Sequence, residues 1–229
     1  MVEPMSKGFY FESYSMTPEL ELCISKIDDR KDEHLQLIKK MLEADGGNLF
    51  PLDLLATAVL KRSMSLCAGF TALVRTGNYT SAASLLRLQL DSCLRFYAAF
   101  IVEKPHEFAE NVLAGTAVRK MKDKTGKVMT DKYLVEELGA KYEWMSRVYS
   151  ATSGFIHLSE RHIYVTWQPT NNYDRFDLVV GASDDHIGEQ FWIEMTDGFQ
   201  ACTDVLFEYL SGWIFTKDNA ELVAKMKSK

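Results

Sequence analysis

Two consecutive stretches, residues 51–75 and about 80–102, carry apolar side chains on more than one helical stripe, with Gly77-Asn78 as the turn between them. A helix that is apolar over most of its circumference has to be covered by other helices. The chain must therefore wrap further elements around this pair. The first of the two opens on Pro51 and places Leu52, Leu55, Val59, Leu60, Leu66, Cys67, Phe70, Leu73 and Val74 at helical spacing. The second is more apolar still, with Leu85, Leu86, Leu88, Leu90, Leu94, Phe96, Tyr97 and Phe100.

The covering elements are legible from start and stop signals. Thr17-Pro18-Glu19 reads as a capping hydroxyl, a first-turn proline and an acid at the positive end of a helix dipole. The helix it opens carries Leu20, Ile24, Ile27, Leu35, Ile38 and Leu42 against charged outer faces, and Gly46-Gly47 ends it. Pro105 starts a fourth helix, expected to reach about Met121. Residues 122–130 are polar with a central glycine and read as a loop, and residues 131–158 read as helical with a break at Gly139. Ser183-Asp184-Asp185 is expected to cap the last long helix, whose stripe is Trp192, Met195, Phe199, Cys202, Leu206, Tyr209 and Trp213.

One segment changes period. Residues 162–167 (HIYVTW) and 176–180 (FDLVV) are rich in β-branched and aromatic residues, with Pro169, Asn171, Asn172 and Asp174 between them, which predicts a small β-hairpin at about 162–181. The expected architecture is all-α: a bundle of about six helices over residues 17–216 with that hairpin inserted, after an irregular stretch (1–16) and before a lysine-rich tail (217–229).

Composition narrows the class. Apolar residues make up 47% and charged residues 25%, the balance of a globular domain rather than a disordered chain. A formal charge of −6 argues against a uniformly basic nucleic-acid coat protein. Six basic residues and two aspartates between Arg119 and Lys132 make a local patch of +4, read as a solvated loop. No apolar run approaches the roughly 20 residues of a spanning helix, and no signal peptide is visible, so a cytoplasmic location without membrane association is expected. Four cysteines without a CxxC pair read as reduced thiols, and neither a metal site nor a cofactor is expected. His34, His106 and His186 read as surface residues.

The polar residues of the third helix are the strongest functional signal. Arg87, Asp91 and Arg95 recur at i, i+4 and i+8, within roughly 80° of one another at about 100° per residue, on a helix with little face left for water. Ser146, Ser150, Ser153 and His157 form a second stripe at i, i+4, i+7 and i+11, with Tyr149 nearby. If the stripes face each other, arginine would hold an anion or orient the aspartate, and His157 would exchange a proton near neutral pH. The same charges serve equally to fix helix register as a buried network.

The stretches LLRLQLDSCLRFYAAF (85–100) and YSATSGFIHLSERH (149–162) resemble an uncharacterised, mostly bacterial branch of the HEPN-like helical proteins, over about residues 50–165. Many HEPN proteins are metal-independent ribonucleases in toxin–antitoxin and antiviral systems, typically with an Arg-x4–6-His motif often completed across a dimer. The resemblance implies an RNA- or nucleotide-directed activity and a homodimer; the two stripes supply Arg87, Asp91 and His157 as candidate catalytic residues, with Arg95, Tyr149, Ser150, Ser153 and Arg161 as candidate binding residues. The chain departs from the motif: nine residues separate Arg147 from His157, and Arg161 adjoins His162. Two readings from other classes stand beside it: a non-catalytic dimeric interaction module, and a binder of small molecules in the bundle interior.

Overall fold

The computed structural model describes residues 16–169 and 176–227, and these are predominantly helical. The helices are α1 (Pro18–Glu43), α2 (Pro51–Arg75), α3 (Tyr79–Ile101), α4 (Pro105–Leu113), α5 (Asp131–Gly139), α6 (Trp144–Ser153), α7 (Glu160–Tyr164), α8 (Glu189–Asp218) and α9 (Ala220–Lys227). Two three-residue strands, β1 (Trp167–Pro169) and β2 (Phe176–Leu178), pair antiparallel with Trp167 opposite Leu178. Residues 1–15 of the expected irregular N-terminus (1–16), and the turn residues Asn171, Asn172 and Asp174, lie outside the described residues.

The expected central pair is central: α2 and α3 pack on each other, and α1, α4, α5, α6 and α8 surround them. Tyr79 meets Trp192, Cys93 donates to the Cys202 carbonyl at 2.8 Å, and Tyr97 meets Tyr209, so α3 and α8 run in the same direction. The α6 helix runs against them, because Tyr149 lies under Arg87 while the Phe155 carbonyl accepts from Ser84. Phe70 of α2 stacks on Phe199 of α8 at 4.2 Å between centroids, in the middle of the core. All of the expected α8 stripe is buried except Tyr209, which packs against the edge of Tyr97 and Phe100.

Several sequence expectations shift, each for a local reason. The fourth helix stops at Leu113 because Gly115 takes φ +90°, and the amides of Gly115 and Thr116 bond back to Val112 and Asn111. The α6 helix ends at Ser153, not at residue 158. Residues His162–Tyr164 are helical rather than extended: the Ser159 hydroxyl accepts from the Arg161 amide at 3.2 Å, and the Ser159 amide donates to His162 Nδ1 at 3.3 Å. That cap outweighs the β-branched composition. A side-chain carbon at Gly154 would stand 2.6 Å from Arg161 Cγ, so only glycine lets the α6–α7 corner close this tightly.

Asp184 does not cap the last helix, which begins at Glu189. Its carboxylate accepts from the Thr80 amide at 2.9 Å and its own amide donates to Gly77 at 2.7 Å, so it caps α3 from a distance of 104 residues in sequence. In α1 the buried line runs Leu20, Ile24, Ile27, His34, Met41, while Leu35 and Leu42 are about half exposed. His34 is thus a core residue. Its Nδ1 donates to the Arg30 carbonyl at 2.7 Å, which leaves Nε2 to accept from Ser63 Oγ at 2.9 Å. Ser63 in turn accepts from Gln89 Nε2 at 2.7 Å, and Gln89 also reaches Thr203 at 3.0 Å. One chain of polar contacts so ties α1, α2, α3 and α8 together.

Lys217, expected to begin the tail, is fully buried. Its Nζ donates to Asp53 Oδ2 at 2.9 Å and to the Met41 carbonyl at 2.8 Å. Asp53 also accepts from Trp213 Nε1 at 2.7 Å and from the Phe50 amide at 2.8 Å. His106, half-buried, stacks on Phe50 at 5.2 Å beside this pair and is no surface residue.

Candidate functional site

Helix α3 presents Arg87, Asp91 and Arg95 on one side, as their spacing requires, but the side faces carboxylates and not a histidine. Asp131, the first residue of α5, accepts from Arg87 Nη2 at 3.0 Å with one oxygen and from Arg95 with the other. Asp91 accepts from Arg95 Nε at 3.0 Å and from Arg62 of α2 at 3.1 Å. All four carboxylate oxygens are thereby occupied. The Arg87 guanidinium lies over the Tyr149 ring at 4.7 Å, and Arg62 also reaches Ser92 Oγ at 3.2 Å. Arg95 Nη1 is buried and makes no hydrogen bond. The row is a circuit of alternating charges, Arg62–Asp91–Arg95–Asp131–Arg87, open at its two arginine ends, across the α2–α3–α5 seam, with an aromatic cover from α6. Such a circuit fixes helix register, since each partner removed leaves a charge poorly solvated.

The second stripe does not join it. The α6 helix ends at Ser153, before His157, and His157 is exposed, with no hydrogen bond, ion pair or ring contact to Arg87, Asp91 or Arg95. Ser146 and Ser150 are exposed on the outer face of α6, and Ser153 donates to the Tyr149 carbonyl of its own helix at 2.6 Å. Of the candidate binding residues, Tyr149 and Arg95 belong to the circuit, Ser150 and Ser153 to the helix surface, and Arg161 to a different place. Asp131 and Arg62 were not legible as partners: each looks like an ordinary helix-surface charge until the helices are packed.

Arg161 lines a cleft of about 520 Å³ between α3, α6 and the first half of α8, with α7 at its mouth. The floor is Ala83 and Leu86 of α3, Val148 and Thr152 of α6, and Met195, Gly198 and Ala201 of α8, with Ala151 of α6 exposed beside it. Small residues on facing helices leave the space. A side-chain carbon at Gly198 would sit 3.5 Å from Leu86 and 3.6 Å from Val148, which is ordinary contact. Tyr79, Trp144, Phe155, Tyr164 and Phe191 give aromatic walls, and Arg147, Arg161, Glu194 and Asp197 stand around the opening. Burial pushes the Tyr79 phenol above its ordinary value; Glu194 pushes the same way and Arg161 opposes it, so both charges lie within electrostatic reach of that ring.

Two of the aromatic wall residues, and apolar side chains in the segments that adjoin them, are exposed. Tyr164 is 66% exposed and Phe191 60%, and Ile156, Leu158, Ile163, Trp167, Leu178 and Val180 are exposed in the flanking segments. Small residues at helical spacing on α3, α6 and α8 were the available sequence signal, but they read as helix-packing positions until three of them face one gap. Among the described residues no group of three or more His, Cys, Asp or Glu side chains is placed to hold a metal ion, and no helix is long and apolar enough to cross a membrane. No family model, no curated protein and no solved structure matches this chain.

Proposed function

We propose that this is a binding protein whose cleft between α3, α6 and α8 takes a small molecule with a largely apolar body. The observation that carries the reading is the cleft itself: about 520 Å³, largely apolar in its floor, aromatic in its walls, with four exposed charged side chains in its lining. Ligand sites are concave, mostly apolar and supplied with a few convergent polar groups, and their usual volumes run from about 300 to 1,000 Å³. Leaving aromatic rings such as Tyr164 and Phe191 in water has no structural return, which also favours an occupant at this mouth.

The RNA-directed reading that the HEPN-like resemblance implies gains less from the geometry. Its guanidinium groups are committed to Asp91 and Asp131, and its histidine stands apart from them. A homodimer remains compatible with either reading.

The test is saturable binding of an apolar fluorescent probe, 1-anilinonaphthalene-8-sulfonate. One site per chain is expected, lost on filling the cleft with Ala201→Trp or Ala151→Trp while the thermal transition stays cooperative. Unchanged binding in both filled variants sinks the reading. Cleavage of an oligoribonucleotide that is lost in Arg87→Ala and kept in Ala201→Trp would move the function to the circuit instead.

A further inference from the structure

The charges around the cleft are sorted by sign. The four charges that line the cleft are Arg147 and Arg161 on the α6–α7 side and Glu194 and Asp197 on α8. None of the four takes part in an ion pair among the described residues; Glu194 accepts one hydrogen bond, from Gln190 of its own helix at 3.2 Å. Two cations stand on one wall, two anions on the other, and an apolar floor lies between them.

We infer that the ligand is zwitterionic, an apolar body bearing one anionic and one cationic group, with the anion directed to the Arg147/Arg161 wall and the cation to the Glu194/Asp197 wall. The inference rests on the cleft being the binding site. A ligand with a single charge would leave one wall unanswered, and an uncharged ligand both. Charge-assisted contacts at the edge of an apolar site add specificity more than bulk affinity, because part of each is offset by desolvation. The cleft would thus reject the singly charged relatives of its ligand by leaving charged groups unmatched as water is expelled.

A matched series built on one ring system tests this: 3-methylindole (neutral), indole-3-propionate (anion), tryptamine (cation) and tryptophan (zwitterion), measured by calorimetry on the full chain. Tryptophan is expected to bind about tenfold tighter than either singly charged compound. Arg161→Gln should erase the advantage of tryptophan over tryptamine, and Glu194→Gln its advantage over indole-3-propionate. Both side chains are exposed, so the thermal midpoint should not move; Arg147→Gln and Asp197→Asn repeat the test on the second member of each wall. If 3-methylindole binds as tightly as tryptophan, the charge pairing is overturned while the cleft stands. If none of the four binds, 3-methylindole included, the cleft reading itself falls.

Discussion

Asp53 and Lys217 meet with their side chains 1% and 0% exposed, whereas in the arginine–aspartate circuit Asp91 and Asp131 keep 21% and 30% of their side-chain surface in water. Both clusters use the same chemistry, carboxylates against cations. The first joins residues 164 positions apart, at the start of α2 and the end of α8. The second begins as three residues spaced four apart on one helix. Helical spacing therefore reveals the cluster that solvent partly relieves and conceals the one that the interior holds. The consequence is energetic: the less visible pair should matter more to stability.

Asp53→Ala should have the largest effect. It leaves the Lys217 ammonium in the core with the Met41 carbonyl and the Phe50 ring face as partners and no counter-charge, and it removes the acceptor for Trp213 Nε1 and the Phe50 amide. Breaking a buried pair costs about 3–5 kcal/mol, which urea denaturation would register. Removing both charges with Asp53→Leu and Lys217→Met should recover much of that loss. A single Asp53→Ala variant within about 1 kcal/mol of the parent breaks the comparison.

Asp131→Ala comes next. Arg87 and Arg95 both lose an acceptor, but Arg95 keeps Asp91 and water reaches the seam, so about 1–3 kcal/mol is expected. Arg87→Ala should fall in the same range through lost contact with Asp131 and the Tyr149 face. An Asp131→Ala loss equal to that of Asp53→Ala would mean that exposure does not separate the two clusters.

What could be read from the sequence divides along the same line. Signals that lie within a few residues of their target were legible: Thr17-Pro18 and Pro51 start α1 and α2, Gly139 breaks 131–158, and the α2–α3 pair sits at the centre as its apolar faces demand. Signals that act across the chain were not. Asp184 looks like a cap for the helix after it and instead caps α3. His34 looks like a surface residue among charges, although it lies seven residues from both Ile27 and Met41 on the buried line, and its partner Ser63 belongs to another helix. The two polar stripes do not meet, for two reasons: α6 turns Ser146 and Ser150 to solvent, and it ends before His157, where the Ser159 cap starts a new helix.

His34 gives a smaller, pH-dependent term. Burial lowers its pKa first of all; the hydrogen bond to the Arg30 carbonyl opposes this, and the charge of Arg30 adds to the lowering. The folded chain therefore resists protonation that the unfolded chain accepts from its ordinary value of 6.5 downward. Stability from this residue is full above pH 6.5 and is lost as pH falls from there to the folded-state pKa, below which it changes no further. Urea midpoints measured through this window should decline, and His34→Gln should flatten the decline. A decline of the same size in the His34→Gln protein would assign it to other groups.

Lys104 and Glu107 mark the bottom of the scale. They pair at 3.0 Å across one turn at the start of α4, with side chains 73% and 59% exposed. Water already solvates both ends, and holding two long side chains in one geometry offsets the attraction, so Lys104→Ala should change stability by less than about 0.5 kcal/mol. Salt should remove what remains, because the pair lies in full reach of counterions. The circuit at Asp131 should respond to salt less, and the Asp53–Lys217 pair least of all. Urea midpoints at low and high sodium chloride for the three variants test that order. If Lys104→Ala proves more salt-sensitive than Asp131→Ala and Asp131→Ala more than Asp53→Ala, access to water sets the worth of each charge in this fold; any other order means that geometry at the individual contact decides it.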